Sequence, residues 1–458
     1  MMTVAEAARA IGARVAGADA RFTAVSTDTR TLEPGALFVA LRGERFDGHD
    51  YLATARSAGA AAALVEDEGG AARAAAAGLA ALVVPDSRRA LGALARHWRG
   101  RFAIPLVAVV GSNGKTTVKE MIAACLRAQF GAGRVLATPG NFNNDIGVPL
   151  TLLGLREAHR CAVVEIGMNH PGETAYLADL AQPTIAVINN AQREHQEFMK
   201  SVAEVAAEHA AVLRALPADG VAVINAEDEH AAYWRGVAGA RTIRDFGVGR
   251  QAAVRGAYRP GSEGAEVEIT IPEGRVSAAL HVAGLHNVRN ALAAAAAATA
   301  AGASPAAVAQ GLASFRAVKG RLQRRIGRQG ATVIDDTYNA NPDSVRAAID
   351  VLAQAGPPRI LVLGDMGELG PQGTVFHEEV GAYARQAGIE RLLAVGPLAR
   401  HAAAAFGADA EHFVSTADAA RRLQELAAPG ATVLVKGSRF MRMETIVGEI
   451  AGEVDRAA

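Results

Sequence analysis

The chain has 458 residues, half of them hydrophobic, and its 47 acidic and 47 basic side chains give a formal net charge of zero. This balance argues against a nucleic-acid-binding protein and against a polybasic membrane surface. Both cysteines lie in apolar runs, and there is no signal-peptide pattern and no run of about 18 apolar residues that could span a membrane. We therefore expect a cytoplasmic protein of several domains, without membrane insertion.

The elements predicted along the chain belong to the α/β class and divide into three domains. Residues 1–98 alternate Ala-rich helices with short apolar strands in ALFVALRG, AAALVE and AALVVP. Residues 99–319 contain continuous apolar runs that lead into polar turns and helices, a pattern typical of parallel strands buried on both faces. Within them, residues 250–283 alternate apolar and polar side chains and predict an antiparallel flap. Residues 320–458 repeat the parallel pattern and predict a Rossmann-like domain.

The segment VAVVGSNGKTTVKEM, residues 107–121, is the strongest motif. An apolar strand enters a glycine-rich turn and then a helix, and backbone N–H groups of such a turn can hold phosphate oxygens. Lys115 would reach the outer phosphates, and the Thr116 hydroxyl would bind Mg²⁺. The loop is shorter than the usual one, since only two residues separate Gly111 from Gly114. Because no guanine-reading Asn-Lys-x-Asp motif occurs, we expect ATP and not GTP. The predicted nucleotide contacts here are Gly111, Asn113, Gly114, Lys115, Thr116 and Thr117.

Two further polar side chains follow strands of the same predicted sheet. Glu165 ends the strand CAVVE, and His195 lies in the polar run after TIAVINN. Because ligands bind at the carboxyl ends of parallel strands, we predict that Thr116, Glu165 and His195 hold Mg²⁺. Lys115, Glu165 and His195 are the predicted catalytic residues. The alternatives are a surface carboxylate for Glu165 and a solvated loop histidine for His195.

Several other polar clusters open predicted helices or follow predicted strands. Asn141, Asn143 and Asn144 are predicted to contact substrate, with helix capping as the alternative. His286, Asn287 and Asn290 share about one helical turn and are predicted to contact adenine. In the third domain, the predicted nucleotide contacts are Asp335, Asp336 and Tyr338, and the predicted substrate contacts are Asn339, Asn341, Lys436 and Arg439, the last two flanking Ser438. Asp365 in LVLGDMGELG is interpreted as architectural or substrate-binding, and His377 is a candidate general base.

Taken in order over nearly the whole chain, these motifs resemble those of the Mur ligases, ATP-dependent amide-forming enzymes of peptidoglycan precursor synthesis. The resemblance rests on GSNGKTT, Glu165, His195, HNVRN, KGRLQ and DDTYNANPDS. It implies a first domain that binds a UDP-linked substrate, a central ATPase domain, and a third domain that binds the incoming amine and closes on ATP. It also adds Arg321 of KGRLQ to the nucleotide site. The stretch STDTRTLEPGALFVALRGERFDGHDY implies contacts to the UDP sugar from Ser26, Thr27, Asp28, Arg30, Asp47, Gly48 and His49.

Within the family, four stretches indicate the reaction: NFNNDIGVPLTLL, DDTYNANPDS, LGDMGELG and VKGSRFMRME. They point to the member that joins D-alanyl-D-alanine to UDP-N-acetylmuramoyl-tripeptide, and the Asp-Asn-Pro-Arg motif of the diaminopimelate-adding member does not occur. The resemblance implies ATP and Mg²⁺ as cofactors and an acyl-phosphate intermediate that the amine attacks. We expect a monomer.

One departure from the family pattern concerns the helix after His195. These ligases commonly carry there a carbamylated lysine that supports a second Mg²⁺. Here the place holds Glu208 and His209, and no lysine occurs between Lys200 and Lys319. On a helical period His209 faces inward. We hypothesise that the protein dispenses with the carbamate and that His209 or Glu208 partly takes its place, the alternative being that His209 is a core histidine.

Two alternatives stay open. The first is a related ligase with another acceptor, either a different Mur ligase or an enzyme like folylpolyglutamate synthetase, although the UDP-binding stretch speaks against the folate version. The second is a P-loop NTPase that drives conformational change or assembly. ATP hydrolysis that requires both a UDP-linked peptide and a dipeptide amine would separate a ligase of this kind from such an NTPase.

Overall fold

Four β-sheets organise the part of the chain that the computed structural model describes, residues 1–249, 251–261 and 264–451. One is a two-stranded pair near the N-terminus, and the other three have five, nine and six strands. The strands of each of these three come from one continuous stretch of chain, with helices between most of the consecutive parallel strands. The predicted α/β class is confirmed.

The N-terminal elements form the five-stranded sheet and its helices. In chain order they are β1 (Met2–Thr3), α1 (Val4–Ile11), β2 (Arg14–Ala16), β3 (Arg21–Phe22), β4 (Ala24–Ser26), β5 (Ala36–Val39), a 3₁₀ turn (Gly48–Tyr51), α2 (Leu52–Ser57), β6 (Ala62–Glu66), α3 (Asp67–Ala76), β7 (Ala80–Val84) and α4 (Ser87–Arg99). The strand order is β2-β7-β6-β5-β4, with β4 to β7 parallel and β2 antiparallel to β7. The carboxyl ends of β4, β5 and β6 therefore share one edge.

The helix α4 connects this first sheet to the middle of the molecule. Asp86 caps its start by accepting a hydrogen bond from the Arg89 backbone N–H. The Trp98 indole donates to the Leu155 carbonyl at 3.1 Å, and the buried Arg99 guanidinium donates to carbonyls of the middle part of the chain. One hydrophobic core runs without interruption from α1 through α4 to the helices Gly147–Leu153 and Glu173–Ala181.

The middle elements form the nine-stranded sheet. They are β8 (Leu106–Val110), α5 (Lys115–Phe130), a 3₁₀ turn (Ala132–Arg134), β9 (Val135–Ala137), α6 (Gly147–Leu153), β10 (Cys161–Glu165), α7 (Glu173–Ala181), β11 (Ile185–Ile188), α8 (Val202–His209), α9 (Ala211–Arg214), β12 (Val221–Asn225), α10 (Ala231–Ala238), β13 (Thr242–Gly247), β14 (Val254–Pro260), β15 (Ala265–Ile271), β16 (Gly274–Leu280), α11 (Leu285–Ala300) and α12 (Pro305–Ser314). The strand order is β16-β15-β14-β13-β12-β11-β8-β10-β9.

The antiparallel segment predicted from the alternating pattern is the hairpin region β14 to β16. Buried and exposed residues alternate along β15, as expected for a strand with one solvated face. Because β14 pairs with β13, these strands extend the nine-stranded sheet instead of forming a separate flap. The helix α11 packs against the buried face of these strands, where most of its alanines are buried, and their small side chains let α11 pack closely on α5.

The C-terminal elements form the six-stranded sheet. They are β17 (Gln323–Ile326), β18 (Thr332–Asp336), α13 (Pro342–Ala353), β19 (Arg359–Gly364), a 3₁₀ turn (Gly370–Gln372), α14 (Gly373–Gln386), β20 (Arg391–Val395), α15 (Ala399–Phe406), β21 (Ala410–Phe413), α16 (Thr416–Leu426), β22 (Thr432–Lys436), a 3₁₀ turn (Arg439–Met441) and α17 (Glu444–Ile450). The order is β17-β18-β22-β19-β20-β21, parallel except for β17.

The three larger sheets fall within the three predicted residue ranges, while the boundaries at residues 98/99 and 319/320 stay predictions. No helix in the described ranges has the length and apolar character needed to cross a bilayer.

Candidate active site

Four neighbouring strands of the nine-stranded sheet, β12, β11, β8 and β10, end at one cleft with a cavity volume of about 1490 Å³. Its opposite wall comes from the six-stranded sheet and α13. Ligands of open parallel sheets bind at this edge. The predicted residues that line the cleft are Asn113, Gly114, Lys115, Thr116, Thr117, Asn143, Asn144, Glu165, His195, His286, Asn287, Asn290, Arg321, Asp336, Tyr338, Asn339, Asn341, Lys436 and Arg439.

The phosphate loop joins β8 to α5 and depends on its glycines. Gly114 has a φ of 82°, and a Cβ there would lie 2.5 Å from Asn290 Oδ1, so only glycine allows this approach to α11. Gly111, with a φ of 140°, does not line the cleft. Its carbonyl accepts a 2.5 Å hydrogen bond from the Lys115 ammonium. Gly111 shapes the loop through this carbonyl, and its contact with nucleotide stays a prediction.

The Lys115 ammonium is folded over its own loop. Besides the Gly111 carbonyl, it approaches the Ser112 carbonyl at 3.3 Å and Glu194 Oε2 at 3.4 Å. It lies at the first turn of α5, where backbone N–H groups and the helix dipole favour an anion. A compact ammonium in this place can leave its carbonyl partners for a phosphate oxygen.

Two buried side-chain oxygens of the cleft, Thr116 Oγ1 and Glu165 Oε2, have no hydrogen-bond partner among the described residues. Asn143 Nδ2 donates to the other Glu165 oxygen at 2.7 Å. Unpaired buried oxygens are costly unless a ligand or ion engages them. Because Mg²⁺ prefers oxygen ligands and often takes one or two from protein beside phosphate oxygens, these residues fit a Mg²⁺ site. In the described ranges no three His, Cys, Asp or Glu side chains could hold a metal alone, so phosphates would have to complete the site.

Glu194 and His195 project from the loop after β11. His195 has a left-handed backbone, with a φ of 50°, and its Nε2 lies 3.7 Å from Glu194 Oε2. Its Nδ1 lies 2.6 Å from Glu368 Oε2, close enough for an ion pair but without hydrogen-bond alignment. His209 Nε2 lies 3.2 Å from Glu194 Oε1. Burial opposes ionisation of Glu194, but the charge of Lys115, together with the two histidines, lowers its pKa to about 2.

A ladder of amide side chains connects β11 to α11. Asn189 Nδ2 donates to the Asn113 carbonyl at 2.8 Å and to Asn290 Oδ1 at 2.9 Å, and Asn290 Nδ2 donates to Asn287 Oδ1 at 3.1 Å. His286 precedes Asn287 at the start of α11 and is half-buried. Burial, with the charge of Lys436, lowers the pKa of His286 to about 4, so the ring is neutral near pH 7. A neutral ring and an amide ladder suit an uncharged base. Asn189 was not among the predicted residues.

At the opposite wall, the end of β18 presents one of its two adjacent carboxylates. Asp336 lines the cleft, and its Oδ2 lies 2.7 Å from Lys436 Nζ. Asp335 points to the other face, since side chains alternate along a strand, and its Oδ1 accepts a 2.6 Å hydrogen bond from the Thr337 hydroxyl. The prediction that Asp335 contacts nucleotide is therefore wrong. Nearby, the Arg321 guanidinium lies 4.1 Å from the Tyr338 ring centre, a cation–π contact at the rim of the cleft.

Comparison with known proteins places the chain in a family. Three family models match it in succession: "Mur ligase family, catalytic domain" at residues 21–99, "Mur ligase middle domain" at 109–298, and "Mur ligase, glutamate ligase domain" at 320–439. An Escherichia coli (strain K12) protein named UDP-N-acetylmuramoyl-tripeptide–D-alanyl-D-alanine ligase is 41% identical over 97% of both chains. The chain belongs to the Mur ligase family.

Solved structures agree with this assignment. The crystal structure I of MurF from Acinetobacter baumannii is 33% identical, covers 98% of both chains and has a TM-score of 0.88. A MurF ligase from Thermotoga maritima in complex with ADP is 24% identical, with a TM-score of 0.79 over 93% of this chain and 96% of its own, and it shares the fold. The resemblance to Mur ligases is thus confirmed over nearly the full length.

In this Mur ligase, the residues predicted to hold the UDP sugar lie outside the cleft, near the carboxyl edge of the five-stranded sheet. Ser26 ends β4, and the loop after it is held by an ion pair of 2.6 Å between Asp28 and Arg30. His49 is 2% exposed and uses both ring nitrogens, one toward Asp47 at 2.5 Å and one accepting from the Glu66 N–H at 2.9 Å. His49 therefore positions the loop and does not reach a ligand, which corrects its prediction. The set remains Ser26, Thr27, Asp28, Arg30, Asp47 and Gly48.

The asparagine-rich loop before α6 faces the cleft only in part. Asn141 is exposed and lies outside the residues that line the cleft, and its substrate contact stays a prediction. Asn144 lines the cleft and also caps α6, since its Oδ1 accepts from the Gly147 N–H at 2.9 Å. The fully buried Lys119 anchors the preceding turn by donating to the Thr138 carbonyl at 2.8 Å and the Gly140 carbonyl at 3.3 Å.

Glu208 does not take the place of the carbamylated lysine of the Mur ligases, which corrects one half of the hypothesis for this helix. Its carboxylate accepts hydrogen bonds from the Gly172 and Thr174 backbone N–H groups at 2.9 and 2.8 Å, at the N-terminus of α7. It does not line the cleft. His209 is buried and does not line the cleft either, although it touches Glu194, which does. Glu208 is thus a capping residue, and His209 can act on the site only through Glu194.

Two further candidates in the C-terminal part prove structural. His377 is fully buried, and its Nε2 accepts from the Met366 N–H at 3.0 Å, so it has no access to an amine. The general-base prediction is wrong for His377. Asp365 accepts from the Leu398 and Ala399 N–H groups at 3.0 and 2.7 Å and caps α15, which agrees with the architectural interpretation.

A charged cluster that the sequence did not predict joins the loop after β11 to the C-terminal helices. Arg193 lies 2.5 Å from Asp343 of α13 and 2.7 Å from Glu379 of α14, and its guanidinium lies 5.1 Å from the Phe376 ring centre. These two ion pairs form what we call the Arg193 clasp. The polar run after β11 was the available signal, but the partners of Arg193 lie 150 and 186 positions away.

Proposed function

We propose that this chain joins D-alanyl-D-alanine to UDP-N-acetylmuramoyl-tripeptide, using ATP and Mg²⁺, to complete the peptide of the cytoplasmic peptidoglycan precursor. Relatives that carry the name of this ligase match 97% and 94% of the chain at 41% and 39% identity. One observation carries the proposal. The Lys115 ammonium and the unpartnered oxygens Thr116 Oγ1 and Glu165 Oε2 line a single cleft at adjacent strand ends.

The chemistry follows from the charges of the reactants. A peptide carboxylate is a poor electrophile, and transfer of the ATP γ-phosphoryl group makes it an acyl phosphate. The amine of the dipeptide then attacks the acyl carbon, and phosphate leaves. Two anions must approach each other in the first step, and Lys115 with the N–H groups at the start of α5 lowers their repulsion. Thr116, Glu165 and His195 would hold Mg²⁺, which when bound neutralises phosphate charge.

The other reactants are assigned to the walls of the cleft and the edge of the first sheet. Asn143 and Asn144 face the cleft from one wall, and Asn339, Asn341, Ser438, Lys436 and Arg439 face it from the other. Arg88 of α4 also lines the cleft and lies 3.0 Å from Asp145, which connects the first sheet to this wall. We assign the UDP sugar to residues 1–98, ATP to 99–319 and the amine to 320–458. Since one chain supplies every cleft residue named here, a monomer acting in the cytoplasm suffices.

A phosphate-release assay over a matrix of acceptors and amines tests the function. UDP-muramoyl peptides of two and three residues, the latter ending in lysine or diaminopimelate, are each combined with single amino acids, D-alanyl-D-alanine or L-alanyl-L-alanine. We expect release only when a tripeptide acceptor and D-alanyl-D-alanine are both present. Release with a dipeptide acceptor and a single amino acid would assign another Mur ligase reaction, and release without either substrate would favour an NTPase.

A further inference from the structure

Glu194 is a buried carboxylate next to the phosphate loop that the mechanism above does not use. Its side chain is 7% exposed and lines the cleft. Oε1 lies 3.2 Å from His209 Nε2, and Oε2 lies 3.4 Å from Lys115 Nζ and 3.7 Å from His195 Nε2. One oxygen is therefore held from behind by a histidine, and the other faces the groups that meet the phosphates.

Binding of nucleotide would change the balance of charge between Lys115 and Glu194. Lys115 now offsets the charge of Glu194, but the same ammonium is needed at the phosphates. Glu194 would then face a polyphosphate across a partly buried cleft, where repulsion between like charges is strong. A divalent cation between the carboxylate and the phosphates removes that repulsion, and Mg²⁺ is commonly bound by one or two carboxylates together with phosphate oxygens.

We propose that Glu194 is a carboxylate ligand of a divalent cation in the nucleotide complex and that His209 is its positioning residue. The proposal rests on the proposed function. His209 Nε2 holds Oε1, in keeping with the hydrogen bonds that metal-binding carboxylates generally make, and leaves Oε2 for the cation. The protein thereby supplies a permanent negative charge close to the place where the family resemblance implies a carbamylated lysine. Carbon dioxide then has no part in the site.

Titration of Mn²⁺ into the protein with a non-hydrolysable ATP analogue, followed by electron paramagnetic resonance, measures cation affinity without turnover. We expect Glu194→Gln to bind Mn²⁺ at least about 10-fold more weakly than wild type. Glu197→Gln is the matched control, since Glu197 is exposed three positions later and does not line the cleft. Equal Mn²⁺ affinity of Glu194→Gln and Glu197→Gln would overturn the proposal.

Two substitutions separate positioning from packing at His209. In His209→Gln the amide can still donate to Glu194, and we expect Mn²⁺ affinity within about threefold of wild type. In His209→Leu the donor is lost, and we expect affinity to fall about 10-fold or more. If the Gln and Leu variants lose the same affinity, or neither loses any, His209 does not position Glu194.

Two measurements on the wild-type protein do not depend on any variant folding. The first is the anomalous scattering of crystals grown with Mn²⁺ and the ATP analogue, which should place a metal about 2.0–2.2 Å from Glu194 Oε2, near the Mg²⁺–oxygen distance. A metal that does not contact Glu194 would contradict the proposal. Mn²⁺ affinity should also be unchanged in buffer freed of bicarbonate, and a loss there would indicate a carbamate instead. Phosphate release needing no acceptor peptide would refute the ligase function while leaving these cation measurements interpretable.

Discussion

Asn113 and Asn341 exchange two hydrogen bonds across the cleft. Asn341 Nδ2 donates to Asn113 Oδ1 at 3.0 Å, and Asn113 Nδ2 donates to Asn341 Oδ1 at 3.3 Å. One residue belongs to the phosphate loop and the other caps α13, where its Oδ1 also accepts from the Ser344 N–H. The pair thus connects the nucleotide-binding turn directly to the C-terminal sheet and its helices.

A double-mutant cycle with Asn113→Ala and Asn341→Ala should detect this connection. Asn341→Ala alone removes a helix cap as well, which costs about 1 kcal/mol. We expect an additional coupling free energy of unfolding of about 0.5–1.5 kcal/mol from the mutual hydrogen bonds, measured by urea denaturation. Asn144→Ala combined with Asn113→Ala is the control, because Asn144 bonds only its own turn. Additive effects in both cycles would show that the pair is not formed in solution.

Lys115→Ala should nearly abolish turnover while weakening nucleotide binding less. The ammonium acts mainly on charge that develops during phosphoryl transfer, and loss of one such group costs about 10²–10³ in rate. Lys115→Arg should also fail, because a planar guanidinium does not fit where a compact ammonium contacts two carbonyls of its own loop. Steady-state phosphate release gives the rates, and Lys200→Ala, at an exposed lysine, serves as control. Near-normal turnover of Lys115→Ala would contradict the site assignment.

Gly114→Ala should lower nucleotide affinity at least about 10-fold. The residue has a positive φ that strains any L side chain, and the new Cβ would lie 2.5 Å from Asn290 Oδ1 and 2.7 Å from Asn189 Nδ2. Both contacts belong to the amide ladder beside the predicted adenine site. Calorimetric titration with an ATP analogue measures the effect. Gly133→Ala, where a Cβ meets nothing within 4 Å, should bind like wild type, and the prediction fails if the two variants bind alike.

The Arg193 clasp should make stability depend on pH. Its hydrogen bonds, opposed in part by burial, lower the pKa of Glu379. A carboxylate with a lowered folded-state pKa contributes stability above the unfolded value of about 4.3, and this contribution is lost as the pH falls through the folded value. At pH 7 the free energy of unfolding of Arg193→Gln should therefore be about 1–3 kcal/mol lower than that of wild type, a loss between those typical of exposed and of buried ion pairs. This difference in free energy should become smaller below about pH 4.

Urea midpoints of both proteins at pH 7 and at pH 3.5 check the clasp. Arg14→Gln is the comparison, because the Arg14–Glu68 pair has side chains 51% and 81% exposed and should contribute little. A gap between wild type and Arg193→Gln that stays constant with pH would mean that Glu379 is not held by Arg193.

The sequence predicted which side chains line the cleft wherever those side chains follow the end of a predicted strand. Lys115, Thr116, Glu165 and His195 converge because β8, β10 and β11 are adjacent parallel strands, and continuous apolar runs predicted those strands. The error at Asp335 could have been avoided, since two adjacent residues of one strand cannot face the same cleft.

Other features depend on packing between distant segments and leave no local pattern. His377 is buried in the C-terminal part of the molecule, where it accepts a hydrogen bond from the Met366 backbone N–H. Glu194 stood beside His195 in the predicted polar run, but its contact with His209, at the far end of the following helix, leaves no local pattern. A polar residue next to a predicted metal ligand is therefore worth examining even when no motif includes it.

The continuity of the hydrophobic core through α4 bears on how such proteins can be recombined. Because Trp98 and Arg99 are anchored in the middle of the molecule, a graft that exchanges the first sheet together with α4 would leave an unmatched apolar surface on α6 and α7. A chimera cut at the turn before Asp86 would instead keep that helix with α6 and α7, its larger contact, and would replace only its smaller contact with α1 and β6. Exchange of acceptor recognition between relatives is thus expected to tolerate crossover ahead of α4 and to fail behind it.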